Sequence, residues 1–290
     1  MAEKKQNWSI VDVLKWAKKY LKEKGAESPQ IEAEWILRDV LACSRLDLYM
    51  DHEKPLSKAE LAQIRKYLKK RAQGEPIQYV LGYTEFYGLR FDVDDSVLIP
   101  RPETELIIEK LINILTDKTG LRILDIGTGS GNIIITLVKN LKKASGLAID
   151  ISKDALKKAS HNSKVHQVQD EIDFMEMDIL ADYPDEKFDL IISNPPYISE
   201  EKYQELPAHI KDYEPQTALK SVSDPLIFYK RLNAIAPQIL QKGGLLALEI
   251  GGTYQENDVR NIFANNFNNI EVIKDYLGQS RGLLISSQER

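Results

Sequence analysis

Near the amino terminus apolar residues recur every three or four positions, the spacing of helices that each bury one face. Ile10, Val13, Leu14, Ala17 and Leu21 form the first stripe, and Gly25 is placed to stop it. Ser28-Pro29 opens a second helix with proline at its first helical position, and Ile31, Trp35, Ile36 and Val40 are its expected buried face. Ser57 and Glu60 form a capping box ahead of a third helix, with Leu56 and Leu61 at the positions of a hydrophobic staple and Ile64 and Leu68 continuing the face up to Gly74. The period then changes. Alternation around Gly88-Leu89 predicts a β-hairpin, and a helix is expected from near Leu106. Beyond it, short apolar runs at 122–126, 146–150, 172–175, 189–193, 244–250, 270–273 and 282–286 alternate with helical stretches at 133–138, 153–165, 224–240 and 256–267. This alternation predicts an α/β fold, a seven-stranded doubly wound sheet behind an N-terminal helical bundle. The expected domains are a helical recognition module at 1–74, a linker with a β-hairpin at 75–97, and a catalytic domain at 98–290.

Two turns in the α/β part carry chemistry. The first follows the strand Arg122-Ile123-Leu124-Asp125-Ile126 and reads Gly127-Thr128-Gly129-Ser130-Gly131. Strand, glycine-rich turn and helix form the opening unit of a nucleotide-binding sheet, and Asp150 lies 19 residues after Gly131, near the spacing of a carboxylate that binds ribose hydroxyls. Gly-x-Gly-x-Gly differs from the Gly-x-Gly-x-x-Gly of a dinucleotide site, and the Gly-Lys-Ser/Thr ending of a P-loop is absent. Asp125 would repel a pyrophosphate but suits a cationic amino-acid tail, which favours S-adenosyl-L-methionine. Asp178, at another strand end, is placed to accept from an adenine amino group, with Ile179 covering the ring.

The second turn is Asn194-Pro195-Pro196-Tyr197, at the end of the apolar run 189–193. Consecutive prolines stop the strand and stiffen the backbone on either side. The Asn194 side-chain oxygen and the Pro195 carbonyl are two fixed acceptors suited to both hydrogens of a planar NH2 group, with Tyr197 packing on its face. A simple strand-ending turn is the plain alternative. Similarly, Leu98 to Glu105 holds Arg101 between two prolines, and its acidic residues also read as a helix N-terminus complementing the macrodipole. The long polar excursion at 199–223 is expected to be a lid or substrate loop.

Composition narrows the partners. The net charge of −5 divides into +5 over residues 1–74 and −10 over the remainder, which argues against a large nucleic-acid footprint on the catalytic part. No apolar run approaches a membrane span, and the opening residues lack the apolar core of a signal peptide. One cysteine, Cys43, excludes an intrachain disulfide and a Cys-based zinc site, so no metal is expected and a reducing cytoplasm is the natural compartment. His52, His161, His166 and His209 lie outside the cofactor motifs and are expected to be structural or exposed.

Together, the glycine turn at 127–131, Asp150 and the Asn-Pro-Pro-Tyr element resemble the class I, Rossmann-like S-adenosylmethionine-dependent methyltransferases that act on a planar NH2. The helical bundle, Gly74-Glu75-Pro76, Glu85-Phe86-Tyr87-Gly88 and Ile99-Pro100-Arg101-Pro102-Glu103-Thr104-Glu105 narrow the resemblance to the peptide chain release factor glutamine methyltransferases, over about Ser9 to Ser287. That resemblance implies methylation of the glutamine amide nitrogen in the Gly-Gly-Gln motif of class I release factors. It assigns Asn194, Pro195 and Tyr197 to catalysis. Gly127, Thr128, Gly129, Ser130, Gly131, Asp150, Asp178, Ile179 and Asn194 are assigned to the cofactor, and Arg101 with Asn194, Pro195, Pro196 and Tyr197 to the substrate. Some relatives carry an aromatic residue where this chain has Ile179. The Asn-Pro-Pro-Tyr element is shared with nucleic-acid amino methyltransferases, which keeps exocyclic adenine or guanine methylation as an alternative, beside methylation of glutamine in another ribosome-associated protein.

Overall fold

The computed structural model describes residues 8–221 and 224–286. The readings of the opening residues, of the far end of the polar excursion and of the tail after Ser286 lie outside them. The chain divides into two compact units, Met1–Gly82 and Tyr83–Arg290.

The first unit is helical: α1 (Ile10–Glu23), α2 (Pro29–Leu41), α3 (Arg45–Met50), α4 (Lys58–Ala72) and α5 (Ile77–Leu81). Ser9, Ser44 and Ser57 each close a capping box, with Asp12, Asp47 and Glu60 reaching back to the cap N–H. The α1 and α4 stripes are buried as expected, but the α2 stripe is displaced. Ile36 is buried, whereas Ile31 and Trp35 are 46% and 38% exposed and Ala33 and Leu37 take the inner positions beside Glu32 and Glu34. Donors within the unit make this face possible. Glu32 receives Arg71 Nε and Nη2 at 2.7 and 3.2 Å, and Glu34 receives Arg45 Nε, the Tyr49 hydroxyl and Gln30 Nε2 at 2.7, 2.6 and 2.6 Å. Buried carboxylates are tolerated when paired and hydrogen-bonded in this way.

The second unit opens with the expected hairpin, β1 (Tyr83–Phe86) and β2 (Leu89–Asp92), turning at Tyr87-Gly88 where both residues have positive φ. Helix α6 (Pro102–Leu115) begins four residues before the expected Leu106, because Pro102 takes the N1 position and Arg101 is the N-cap. There follow β3 (Arg122–Ile126), α7 (Asn132–Asn140), β4 (Ser145–Asp150), α8 (Lys153–Val165), β5 (Ile172–Glu176) and β6 (Phe188–Ser193). The polar excursion holds three short helices, α9 (Glu200–Gln204), α10 (Ala208–Lys211) and α11 (Gln216–Leu219). Helix α12 (Ile227–Ile239), β7 (Leu240–Glu249), α13 (Thr253–Phe263), β8 (Asn269–Lys274) and β9 (Ser280–Ser286) complete the unit.

Seven strands form one sheet in the order β5-β4-β3-β6-β7-β9-β8, parallel from β5 to β7 and antiparallel at β9 and β8. Strand residues alternate between two cores. Ile123, Leu190, Ile192 and Ala247 face the side covered by α6 and α7, whereas Leu124, Ile191, Leu246 and Leu248 face the side covered by α12 and α13. Near-complete burial of such side chains contributes about 1.5–3 kcal/mol each, which keeps the central strands in register. Helix α8 is tied to the hairpin through His161 Nε2 and Asp92 Oδ2 at 2.8 Å and His166 Nε2 and the Arg90 carbonyl at 2.7 Å. Among the described residues no helix is long and apolar enough to cross a membrane.

Candidate active site

From β3 the chain crosses outward to β4 and β5, then returns to β6 on the other side of β3. The strand order therefore reverses between β3 and β6, and ligands of open α/β sheets bind at the carboxyl ends beside such a reversal. Ile126 pairs with Ser193 there, so the glycine turn and the Asn194 turn leave the sheet side by side. The Ser193 hydroxyl donates to the Ile126 carbonyl at 2.8 Å.

Gly127, Gly129 and Gly131 have φ of +73°, +55° and +79°, a region that disfavours other residues. Their surroundings differ. A Cβ at Gly127 or Gly129 would meet nothing within 4 Å, whereas one at Gly131 would lie 3.1 Å from Ala159 Cβ and 3.0 Å from Ile135 Cδ1. The first two leave an open cradle, and the third lets α7 and α8 pack closely. Asp150 braces the cradle, accepting the Gly129 and Ser152 N–H groups at 2.9 Å each. Burial pushes its carboxyl above the usual range. The Thr128 hydroxyl donates to Asp125 Oδ2 at 2.7 Å. Asp125 is fully buried, its Oδ1 has no hydrogen-bond partner among the described residues, and desolvation pushes its pKa up to about 7.

A cavity of about 430 Å³ lies over both turns. Gly127, Thr128, Gly129, Ser130, Asp150, Asp178, Ile179, Asn194, Pro195, Pro196 and Arg101 line it, whereas Gly131 and Tyr197 do not. No described residue hydrogen-bonds the Asn194 side chain or donates to the Pro195 carbonyl. The Tyr197 hydroxyl instead donates to Glu249 Oε1 at 3.4 Å, and burial raises its pKa well above the ordinary phenol value. Arg101 Nη2 donates to both oxygens of buried Glu214 at 2.7 and 2.8 Å, and Glu214 also accepts the Ile99 N–H at 3.3 Å. That ion pair ties the polar excursion to the segment before α6. Gln216, Thr217, Ala218 and Lys220 of the excursion form part of the cavity wall.

Several lining or supporting residues have no individual role in the sequence reading: Thr104, Ser152, Phe228, Glu214 and Glu249. Ser152 carried a usable signal, since it precedes the expected α8 as an N-cap and accepts the Ala155 N–H at 3.2 Å. Glu249 closes an apolar strand, where nothing local distinguishes a buried acid from a solvated one.

A family model described as the PrmC N-terminal domain matches residues 12–82, and one described as a methyltransferase small domain matches residues 104–210. The release factor glutamine methyltransferase of Chlorobaculum tepidum is 41% identical over 97% of this chain and 98% of that relative. The chain belongs to the release factor glutamine methyltransferase family. A second member, from Geobacter sulfurreducens, is 40% identical over 87% of each chain. A solved methyltransferase from Pyrococcus furiosus shares the fold, with a TM-score of 0.51 and 17% identity over 79% of this chain and 98% of that one. The enzyme's glycine cradle, the lining acids Asp150 and Asp178 and the apolar wall at Ile149, Met177 and Ile179 suit a ligand with a cationic tail and an adenosine body.

Proposed function

We propose that this enzyme methylates the side-chain amide nitrogen of the glutamine in the Gly-Gly-Gln motif of class I peptide chain release factors, in the cytoplasm, in support of translation termination. S-Adenosylmethionine is the cofactor, held by the cradle at Gly127 to Ser130, by Asp150 and by Asp178 and Ile179. When bound, it supplies an electrophilic methyl group on a positively charged sulfur. The observation that carries the reading is the pair of unspent acceptors, the Asn194 amide oxygen and the Pro195 carbonyl, at a switch point shared with that cradle.

An amide nitrogen is a poor nucleophile because its lone pair is delocalised into the carbonyl. No side chain here removes its proton beforehand, so rate comes from placement. Asn194 and Pro195 accept the two N–H groups and turn the lone pair toward the methyl donor. These contacts strengthen as the nitrogen becomes tetrahedral, which is when they accelerate the reaction. The proton leaves afterwards to water. Arg101 and Glu214 hold the excursion that walls the substrate side, and the N-terminal helical unit adds affinity for the intact release factor.

The test is to incubate the full chain and S-adenosylmethionine with a purified class I release factor or with nucleic acid, then map the added methyl by mass spectrometry. Methyl on the Gly-Gly-Gln glutamine is the expected result. Methyl on adenine or guanine alone would overturn it.

A further inference from the structure

Glu249 stands where a carboxyl is costly. It ends the buried strand β7, is 4% exposed, has no basic side chain paired with it among the described residues, and does not line the cavity. Its two oxygens are divided between the stretches that flank the site. Thr104 Oγ1, in the first turn of α6, donates to Oε2 at 2.5 Å, and the Tyr197 hydroxyl donates to Oε1. Its own main chain is fixed as well, because the buried Tyr229 hydroxyl donates to the Glu249 carbonyl at 2.9 Å. A Cβ at Gly251 would lie 3.0 Å from Tyr197 Cδ2 and closer still to the Tyr254 hydroxyl, so the absence of a side chain there leaves room for both rings.

Tyr197 is therefore held by its hydroxyl, with space for its ring beside Gly251, and it ends the turn that begins at Asn194. From this arrangement we infer that Glu249, bridging Thr104 and Tyr197, is a positioning residue that fixes the Asn194 and Pro195 acceptors for the methyl-accepting amide. The inference rests on the reading of the Asn194 turn given above. It also accounts for the joint presence of the Pro-Arg-Pro-Glu-Thr-Glu stretch and the Asn-Pro-Pro-Tyr element, since Glu249 joins the two. A misplacement of about 1 Å at reacting groups can slow a reaction on the order of 100-fold, so a brace on Tyr197, two residues after Pro195 and three after Asn194, has room to matter.

The experiment measures single-turnover methylation of a purified class I release factor by the full chain and by Glu249→Ala, Glu249→Gln, Tyr197→Phe, Asn194→Ala and the Glu249→Ala/Asn194→Ala double variant. Cofactor affinity is read in parallel by calorimetry. Glu249→Ala and Tyr197→Phe should each slow the saturated rate about 10–100-fold, with KM for release factor and cofactor affinity within about two-fold of wild type. Glu249→Gln keeps an oxygen for Thr104 and a polar partner for Tyr197, and should recover most of the rate. In the double variant, losing Glu249 should cost clearly less than it does in the wild-type background, because one of the two acceptors it positions is already gone. Losses that multiply in the double variant, or a Tyr197→Phe enzyme at the wild-type rate, would overturn the inference. A wild-type chain that puts no methyl on the release factor glutamine would instead overturn the functional reading itself.

Discussion

Ser193 and Ile126 sit opposite one another at the last paired position of β3 and β6, and the Ser193 hydroxyl closes the pair by donating to the Ile126 carbonyl. One residue later the two chains become the Asn194 turn and the glycine turn. The hydroxyl is buried, so Ser193→Ala leaves a buried carbonyl short of a donor and should lower stability by about 1–3 kcal/mol. A chemical denaturation midpoint that does not move would show that the tie contributes nothing.

The three glycines of the cradle separate packing from binding. Gly131→Ala forces its Cβ against Ala159 and Ile135 in addition to the left-handed strain of about 1–2 kcal/mol, so its main effect should be on thermal stability. Gly129→Ala meets only open space and carries the strain alone, but it lines the cavity. Its main effect should be a weaker cofactor affinity in calorimetry. The reverse assignment of the two effects would contradict the geometry.

Arg101→Met removes the cation from Glu214, whose side chain is almost wholly buried. An unpaired buried carboxylate costs on the order of 3 kcal/mol, and the excursion that carries Glu214 should loosen to relieve it. Limited proteolysis should then cut between 199 and 221 far faster than in wild type, while Glu214→Gln, which removes the charge as well, should be cut at an intermediate rate. Equal resistance in all three proteins would mean that the ion pair does not hold the excursion.

Burial, reinforced by the nearby Glu103 carboxylate and opposed by Thr104, Tyr197 and Arg101, pushes the Glu249 pKa up to about 7. The unfolded chain releases that proton near pH 4, so between pH 4 and 7 the folded state holds more protons and stability falls as the pH rises. Above pH 7 the loss is complete. Glu249→Gln cannot ionise, and the stability of wild type relative to it should fall by on the order of 3 kcal/mol between pH 5 and 8. Parallel pH profiles for the two proteins would mean that Glu249 titrates normally in the folded chain.

What the sequence disclosed and what it hid follow one physical division. Features set by neighbours along the chain were legible: the capping box at Ser57 and Glu60, the hairpin, expected around Gly88-Leu89 and turning one residue earlier at Tyr87-Gly88, the glycine cradle and the proline-stiffened turn at Asn194. Each depends on local backbone preference or on the period of burial. The exposed Trp35 and the buried Glu32 and Glu34 were not legible, because Arg71 and Arg45, which make that face possible, approach from other helices. Helix α3 was missed although Ser44 and Asp47 form its capping box, since aspartate replaces the usual Glu or Gln. Glu214 and Glu249 were hidden for the same reason as the α2 face: their partners, Arg101 and Thr104, lie 113 and 145 residues away in sequence.

The central claim is that Asn194 acts by orienting the methyl-accepting amide, and the single-turnover rate of Asn194→Ala on a purified class I release factor tests it most directly. The variant should bind cofactor as wild type does and transfer its methyl about 10²–10³-fold more slowly, the loss expected when one preorganised polar contact to a transition state is removed. A folded, cofactor-saturated Asn194→Ala enzyme that methylates the glutamine within a few-fold of the wild-type rate would contradict the account.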